Sequence, residues 1–221
     1  MSGGLKLYID FISPPCRSLY IALKQSGLPF EKVLIDLGKK QQTTSEYKKL
    51  NRFQKVPCIA EGDFKLSESV AILRYLASSN RAFDKLVGGG NKENLIRVEE
   101  YLQWQYTLRK EILNFFHLDW LSPLRTGIQT PIDEVQEAKR ELERVLEILE
   151  KTWLSSSKFL IGNEMTVADI FGASELQQTI LSKYDVGRKY PKISEWLETV
   201  REETNPHFDY AHTVLYKLAN K

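Results

Sequence analysis

Cysteine is scarce: Cys16 and Cys58 are the only two in 221 residues. A disulfide framework is therefore excluded, and thiols this few are expected of a reducing compartment, most simply the cytoplasm. Charge of one sign is not in excess either, because 31 basic and 29 acidic residues leave a formal net charge of +2. Nucleic-acid affinity comes largely from neutralising phosphates, so no nucleic-acid partner is expected. No stretch approaches the ~18 consecutive apolar residues of a membrane-spanning helix. The opening "MSGGLKLYID" has no basic region followed by an apolar run, so no secretory leader is expected. Histidine is limited to His117, His207 and His212, all in the second half. Nothing around them suggests a partner for a nucleophilic cysteine, and no metal ligand set is assigned. No internal repeat or low-complexity tract is present.

Hydrophobic residues make up 42% and charged residues 27% of the chain, ordinary for a soluble globular protein. That is enough apolar material for a sizeable core, in one large domain or two small ones. The first part carries mixed signals. "LKLYI" alternates, with Leu5, Leu7 and Ile9 on one face, as a half-buried strand does. Residues Cys16 to Ser26 hold apolar positions at helical spacing until Gly27 stops them. "EKVLID" predicts a second strand. "VPCIAEGDFKL" predicts two short strands joined at Glu61-Gly62-Asp63, and "ESVAILRYLASS" a helix. A helical crossover between strands suggests a βαβ unit, and the later pair an added hairpin.

The glycines Gly88 to Gly90 mark the best linker candidate, over residues 81–92. Only helical patterns follow. "DEVQEAKRELERVLEILEKTWL" places Val135, Leu142, Leu146 and Leu149 on one stripe. Thr166 followed three residues later by Asp169 is a variant of the capping box. The expected architecture is an α/β domain over residues 1–80 joined to an all-helical domain over 93–221.

The stretch "FISPPCR" ends the first strand and opens the first helix. Ser13 thus stands at the carboxyl edge of the sheet, where open α/β sheets bind ligands. The helix start is expected to offer unpaired N–H groups and a positive dipole end to an anion. A proline suits that first turn because its missing N–H would find no partner there. Three readings follow. Ser13 is a helix N-cap and Cys16 a small buried hydrophobe. Alternatively Cys16 is a redox or nucleophilic cysteine, although it occupies the inner position of a thioredoxin-type turn, where a lone cysteine attacks poorly. In the third, the Ser13 hydroxyl stabilises a thiolate that a substrate brings, which requires neither base nor metal.

Four motifs in order, "SPPCR", "NRFQKVPCI", "LSESVAILRYL" and "TVADIFGASE", together resemble a cytosolic glutathione transferase over nearly the whole chain. The serine-type turn and "SESVAILRYL" are similar to the theta class, its arthropod members especially. The resemblance implies a thioredoxin-like, glutathione-binding N-terminal domain and an all-α domain that shapes an electrophile pocket. It implies a homodimer that uses glutathione as co-substrate with no other cofactor. On this resemblance Ser13 stabilises the glutathione thiolate. Val56, before a cis Pro57, pairs with the cysteinyl part, Glu68 and Ser69 hold the γ-glutamyl end, and Lys55 and Gln42 face the glycyl carboxylate. An arginine on the long helix supports the serine, a place open to Arg109 or Lys110, with Arg109 favoured. Asp169 resembles a structural capping residue, and Tyr8 is read as packing. Trp104, Phe115, Phe116 and Trp120 are candidates for the apolar pocket. The implied activity is conjugation of the thiolate to small hydrophobic electrophiles, with organic hydroperoxides as related substrates. The alternatives are a non-catalytic ligand-binding relative and a Cys16-dependent thiol transferase.

Overall fold

The computed structural model describes residues 4–220. The alternation in "LKLYI" becomes strand β1 (Lys6–Ile9), with Leu5, Leu7 and Ile9 buried as the pattern requires. Helix α1 (Pro14–Ser26) follows and stops at Gly27, whose φ of 68° lets its N–H reach the carbonyl of Lys24. Strand β2 (Glu31–Leu34) pairs parallel to β1 in the register Lys6 to Glu31 and Ile9 to Leu34. After a 3-10 turn over Gln41–Thr43, the short helix α2 (Ser45–Leu50) starts where Thr44 accepts from the Tyr47 N–H. Strands β3 (Cys58–Glu61) and β4 (Phe64–Ser67) form the expected antiparallel hairpin, and the sheet order is β2-β1-β3-β4. Helix α3 (Ser69–Ser79) closes this half.

The segment read as a linker is partly ordered as helix α4 (Arg81–Leu86). Asn80 caps it by accepting from the Phe83 N–H, and the Phe83 ring is fully buried. Gly88 then turns the chain with φ of 87°, and a Cβ there would lie 2.8 Å from the backbone nitrogen of Leu95. Only glycine permits so close an approach. Helix α5 (Lys92–Phe116), capped by Asn91, runs on into a π-helical turn over His117–Leu121. The remaining helices are α6 (Ser122–Thr126), α7 (Ile132–Ile148), α8 (Val167–Leu176), α9 (Pro191–Thr204) and α10 (His207–Ala219).

A single core crosses both halves. Leu7, Ile9 and Leu19 from the sheet side belong to the same buried cluster as Leu108, Phe171 and Trp196 from the helical side. Helix α1 is the hinge of this packing: every residue from Pro14 to Leu23 is buried. A helix buried all round must have cover on both faces. Leu19, Ile21 and Leu23 share the buried cluster of Leu7, Ile9 and Ile59 from the sheet, and α8 and α10 pack on α1 from the helical half. Among the described residues, no helix is long and apolar enough to cross a membrane.

Candidate functional site

Strand register brings the candidate residues to one end of the sheet. Tyr8 of β1 lies beside Cys58 of β3, and Cys58 lies beside Ser67 of β4. The carboxyl ends of β1 and β4 and the amino end of β3 therefore share one edge. Ser13, Val56-Pro57 and Glu68-Ser69 all leave the sheet there. The carboxyl end of β2 joins them, because Ile9 pairs with Leu34 and the Leu37 N–H donates to Asp10 Oδ2 at 3.0 Å.

Ser13 occupies the N-cap position of α1 in extended conformation, yet its side chain makes no capping hydrogen bond. Its carbonyl accepts from the N–H groups of Cys16 and Arg17 at 3.1 and 3.2 Å. The turn before it is braced by Asp10, whose Oδ1 accepts from the Ile12 N–H at 3.0 Å. The expected row of free N–H donors at this helix start is not found. Pro14 and Pro15 have none to offer, and the Cys16 N–H is turned onto Ser13 itself. Ser13 itself is half-buried, its side chain beside the Cys16 thiol and at the positive end of the helix dipole.

Behind the turn lies a group that sequence reasoning missed. Arg17 has no exposed surface. Its Nη1 donates to the carbonyls of Phe11 and Ile12 at 2.8 and 3.1 Å. Its Nη2 donates to the Ser174 carbonyl and Gln178 Oε1 at 2.8 and 3.0 Å. Burial pulls the guanidinium down to about 10, so it stays charged at neutral pH. Glu175, buried beside Ser174, meets Arg109 Nε at 3.5 Å. Burial pushes the Glu175 carboxyl up, and Arg109 and Arg17 pull it back. Of the two candidates on α5, Arg109 therefore turns inward to this cluster, while Lys110 pairs with Glu111 at 2.9 Å with its own side chain largely exposed. Arg109 is engaged with Glu175; a contact with Ser13 is not among its bonds.

Glu68 stands at the N-cap of α3 with φ of 70°, a left-handed backbone that a residue with a Cβ adopts only under strain. Its side chain caps nothing and is exposed. Ser69 is buried at the first helical position, so the opening N–H groups of an 11-residue helix face this edge of the sheet. The Val56-Pro57 bond is cis, and Val56 lies just outside the ladder of β3. Lys55 is exposed, its carbonyl held by Tyr47 Oη at 2.8 Å and Asn51 Nδ2 at 2.7 Å. Gln54 Nε2 donates to the Gln42 carbonyl at 3.4 Å, which ties Gln42 to the same loop. Gln42 Oε1 is buried without a partner among the described residues.

Cys16 is fully buried, and burial pushes its thiol up to about 12. A thiol so buried is out of a substrate's reach, which argues against the thiol-transfer reading. Tyr8 lies within β1, half-buried opposite Cys58. The four aromatic candidates divide. Trp104 packs on Tyr101 and Trp153, and Phe115 on Tyr184, inside the main core. Phe116 and Trp120 instead stack at 5.3 Å within a second apolar cluster that includes Ile12, the neighbour of Ser13. Leu218 and Ala219 of α10 belong to the same cluster.

Two family models match the chain in order: the glutathione S-transferase N-terminal domain over residues 4–78 and the C-terminal domain over residues 112–203. Mouse glutathione S-transferase theta-3 is 35% identical over 216 residues, covering 97% of this chain and 89% of the relative. The apo structure of human glutathione S-transferase T1-1 superimposes with a TM-score of 0.91 at 32% identity, covering 99% of this chain and 92% of that one. Human glutathione transferase theta-2, solved in complex with glutathione, gives 0.90 at 30% identity, covering 98% and 89%. A serine turn, a strained Glu68 and a helical half that closes over α1 thus come with relatives matched along nearly their full length, and the chain belongs to the theta class of the glutathione S-transferase family.

Proposed function

We propose that this chain conjugates glutathione to small hydrophobic electrophiles, with the Ser13 hydroxyl donating a hydrogen bond to the glutathione thiolate. The thiolate sulfur attacks the electrophilic carbon, the leaving group departs with its electron pair, and the thiol proton passes to solvent. The observation that carries this reading is the Ser13 hydroxyl itself, placed at the meeting of three strand ends and engaged in no capping bond. A free thiol has a pKa of about 8.5, and lowering it by roughly two units takes about 3 kcal/mol of preference for the thiolate. A hydroxyl bond to a charged group supplies ~1.5–3 kcal/mol and a helix terminus ~0.3–1 kcal/mol. With two prolines removing the N–H donors, the hydroxyl carries the larger share.

The γ-glutamyl carboxylate sits on the N-terminus of α3 at Ser69, with Glu68 meeting the ammonium. Val56 pairs with the cysteinyl backbone, and Lys55 and Gln42 face the glycyl end. Arg109 acts on the serine through the Glu175 cluster. The electrophile rests against Phe116 and Trp120. No cofactor beyond glutathione is required. The protein works in the cytoplasm as a homodimer, which sedimentation at twice the 25.6 kDa chain mass checks.

The deciding experiment titrates the ultraviolet absorbance of the bound thiolate against pH, alongside conjugation of halides and epoxides and the reduction of organic hydroperoxides to alcohols at the expense of two glutathione thiols. Ser13→Ala is expected to raise the bound thiol pKa by ~1–2 units and to lower turnover ~10-fold or more, with the fold intact. Full turnover in a folded Ser13→Ala protein would refute the role given to the serine.

A further inference from the structure

We propose that Arg17 is a positioning residue: it clamps the Ser13 turn to the helical half, so that packing between the halves fixes where the hydroxyl points. The inference rests on the thiolate reading above and deepens it. Its basis is the division of labour within one guanidinium. Nη1 holds the carbonyls of Phe11 and Ile12, the two residues before Ser13, and Nη2 holds Ser174 and Gln178, on or just after α8. All four acceptors are neutral, and among the described residues Arg17 forms no ion pair. Burying a charge for neutral acceptors is costly, and an apolar side chain would fill the space without that cost. A guanidinium alone offers a planar fork long enough to grip both halves at once.

The surroundings keep that fork charged and still. Glu175 on α8 lies near both Arg17 and Arg109, and its Oε2 meets no polar partner among the described residues. It balances two cations with one carboxylate. From α10, His212 and Tyr216 lie within electrostatic range of the guanidinium, and Cys16 precedes it on α1. Burial keeps His212 neutral. The cluster therefore retains one net positive charge behind the hydroxyl when Glu175 is ionised, which favours an anion at Ser13.

The test compares Arg17→Lys, Gln178→Leu and Trp196→Phe in the full-length chain with glutathione. Lysine keeps the charge but cannot span both sets of acceptors, and Gln178→Leu removes one acceptor while leaving the guanidinium in place. Trp196→Phe removes the 2.9 Å indole bond to Asp169, leaves all four Arg17 acceptors in place, and serves as a stability control. Expected for Arg17→Lys is a bound thiol pKa higher by ~1 unit and kcat lower by ~10-fold at neutral pH, with the glutathione KM changed less than ~2-fold. Gln178→Leu is expected to move in the same direction by less, and Trp196→Phe to lower Tm with the thiol pKa unchanged. A structural role alone would lower Tm and leave the thiol pKa in place. Unshifted thiol pKa values in both variants, beside a normal wild type, overturn the inference and leave the serine reading standing. Should Arg17→Lys fail to fold, Gln178→Leu decides the matter. A wild type with no thiolate band removes both.

Discussion

His212 sits with no exposed surface between Phe208 and Tyr216, its Nδ1 2.8 Å from the Phe208 carbonyl and its Nε2 unpartnered among the described residues. Burial holds this ring neutral, with a pKa well below the ordinary value of about 6.5. The sign of the consequence follows directly. Below about pH 6.5 the unfolded chain binds a proton on this ring that the folded chain refuses, so stability falls as pH falls; above it the two states match. His212→Phe keeps the stacked ring and removes the proton. Between about pH 6 and 5 it is expected to flatten the stability profile by ~1.4 kcal/mol per pH unit. Urea unfolding of both proteins across that range measures it, and parallel profiles would show that the ring titrates alike in both states. Among single side chains, legibility follows the distance to the partner. Ser13 is readable because a strand, a turn and a helix start are local features. Arg17 is not: beside a cysteine at a helix start it reads as a solvated charge, and the two acceptors that bury it against the helical half lie 157 and 161 positions away in sequence. The donors expected at the start of α1 fail for a reason visible in "SPPC", since each proline that suits the first turn also deletes an N–H.

Helix α8 shows how a start signal written in sequence is also a tertiary joint. Thr166 Oγ1 accepts from the Ala168 N–H at 3.2 Å, and Asp169 Oδ2 accepts from the Thr166 N–H at 2.9 Å, which completes the box. Asp169 Oδ1 then takes the Leu160 N–H at 2.8 Å and the Trp196 indole at 2.9 Å, joining the preceding loop and α9 to the helix. Removing the cap hydroxyl and removing the carboxylate should therefore differ. Thr166→Ala is expected to destabilise by about 1 kcal/mol. Asp169→Ala, which strands several buried donors, is expected to destabilise by ~3 kcal/mol or more. Equilibrium unfolding gives both values, and equal losses would mean that the carboxylate serves the cap alone. The stripe of α7 and the hairpin around Gly62 were legible for the same local reason. Helix α4 was not, because six residues beside three glycines carry no readable period, and what orders them is the burial of Phe83 under the rest of the protein. The π-helical turn that sets Trp120 against Phe116 left no mark in the spacing either.

Two halves with separate sequence textures suggest two units that could unfold one after the other, but the packing argues against it. Helix α1 belongs to the first half by connectivity and to the second by contact, since α8 and α10 cover one of its faces. Stripping the helical half away would expose that face and leave Arg17 charged with only half of its acceptors. The Phe11 ring, edge-on to Tyr20 and to Tyr210 of α10, ties the same joint from the other side. The expected outcome is one cooperative transition for the chain. The sequence supplies a probe for each half: all four tryptophans lie at or beyond Trp104, and both cysteines, Cys16 and Cys58, lie in the first half. Both thiols are fully buried, so a thiol reagent reaches them only when that half opens. In urea, tryptophan fluorescence and thiol reactivity should share one midpoint. Thiols that react at a urea concentration where the fluorescence is still native would show the sheet half opening on its own, and the clamp between the halves would then be too weak to hold the serine.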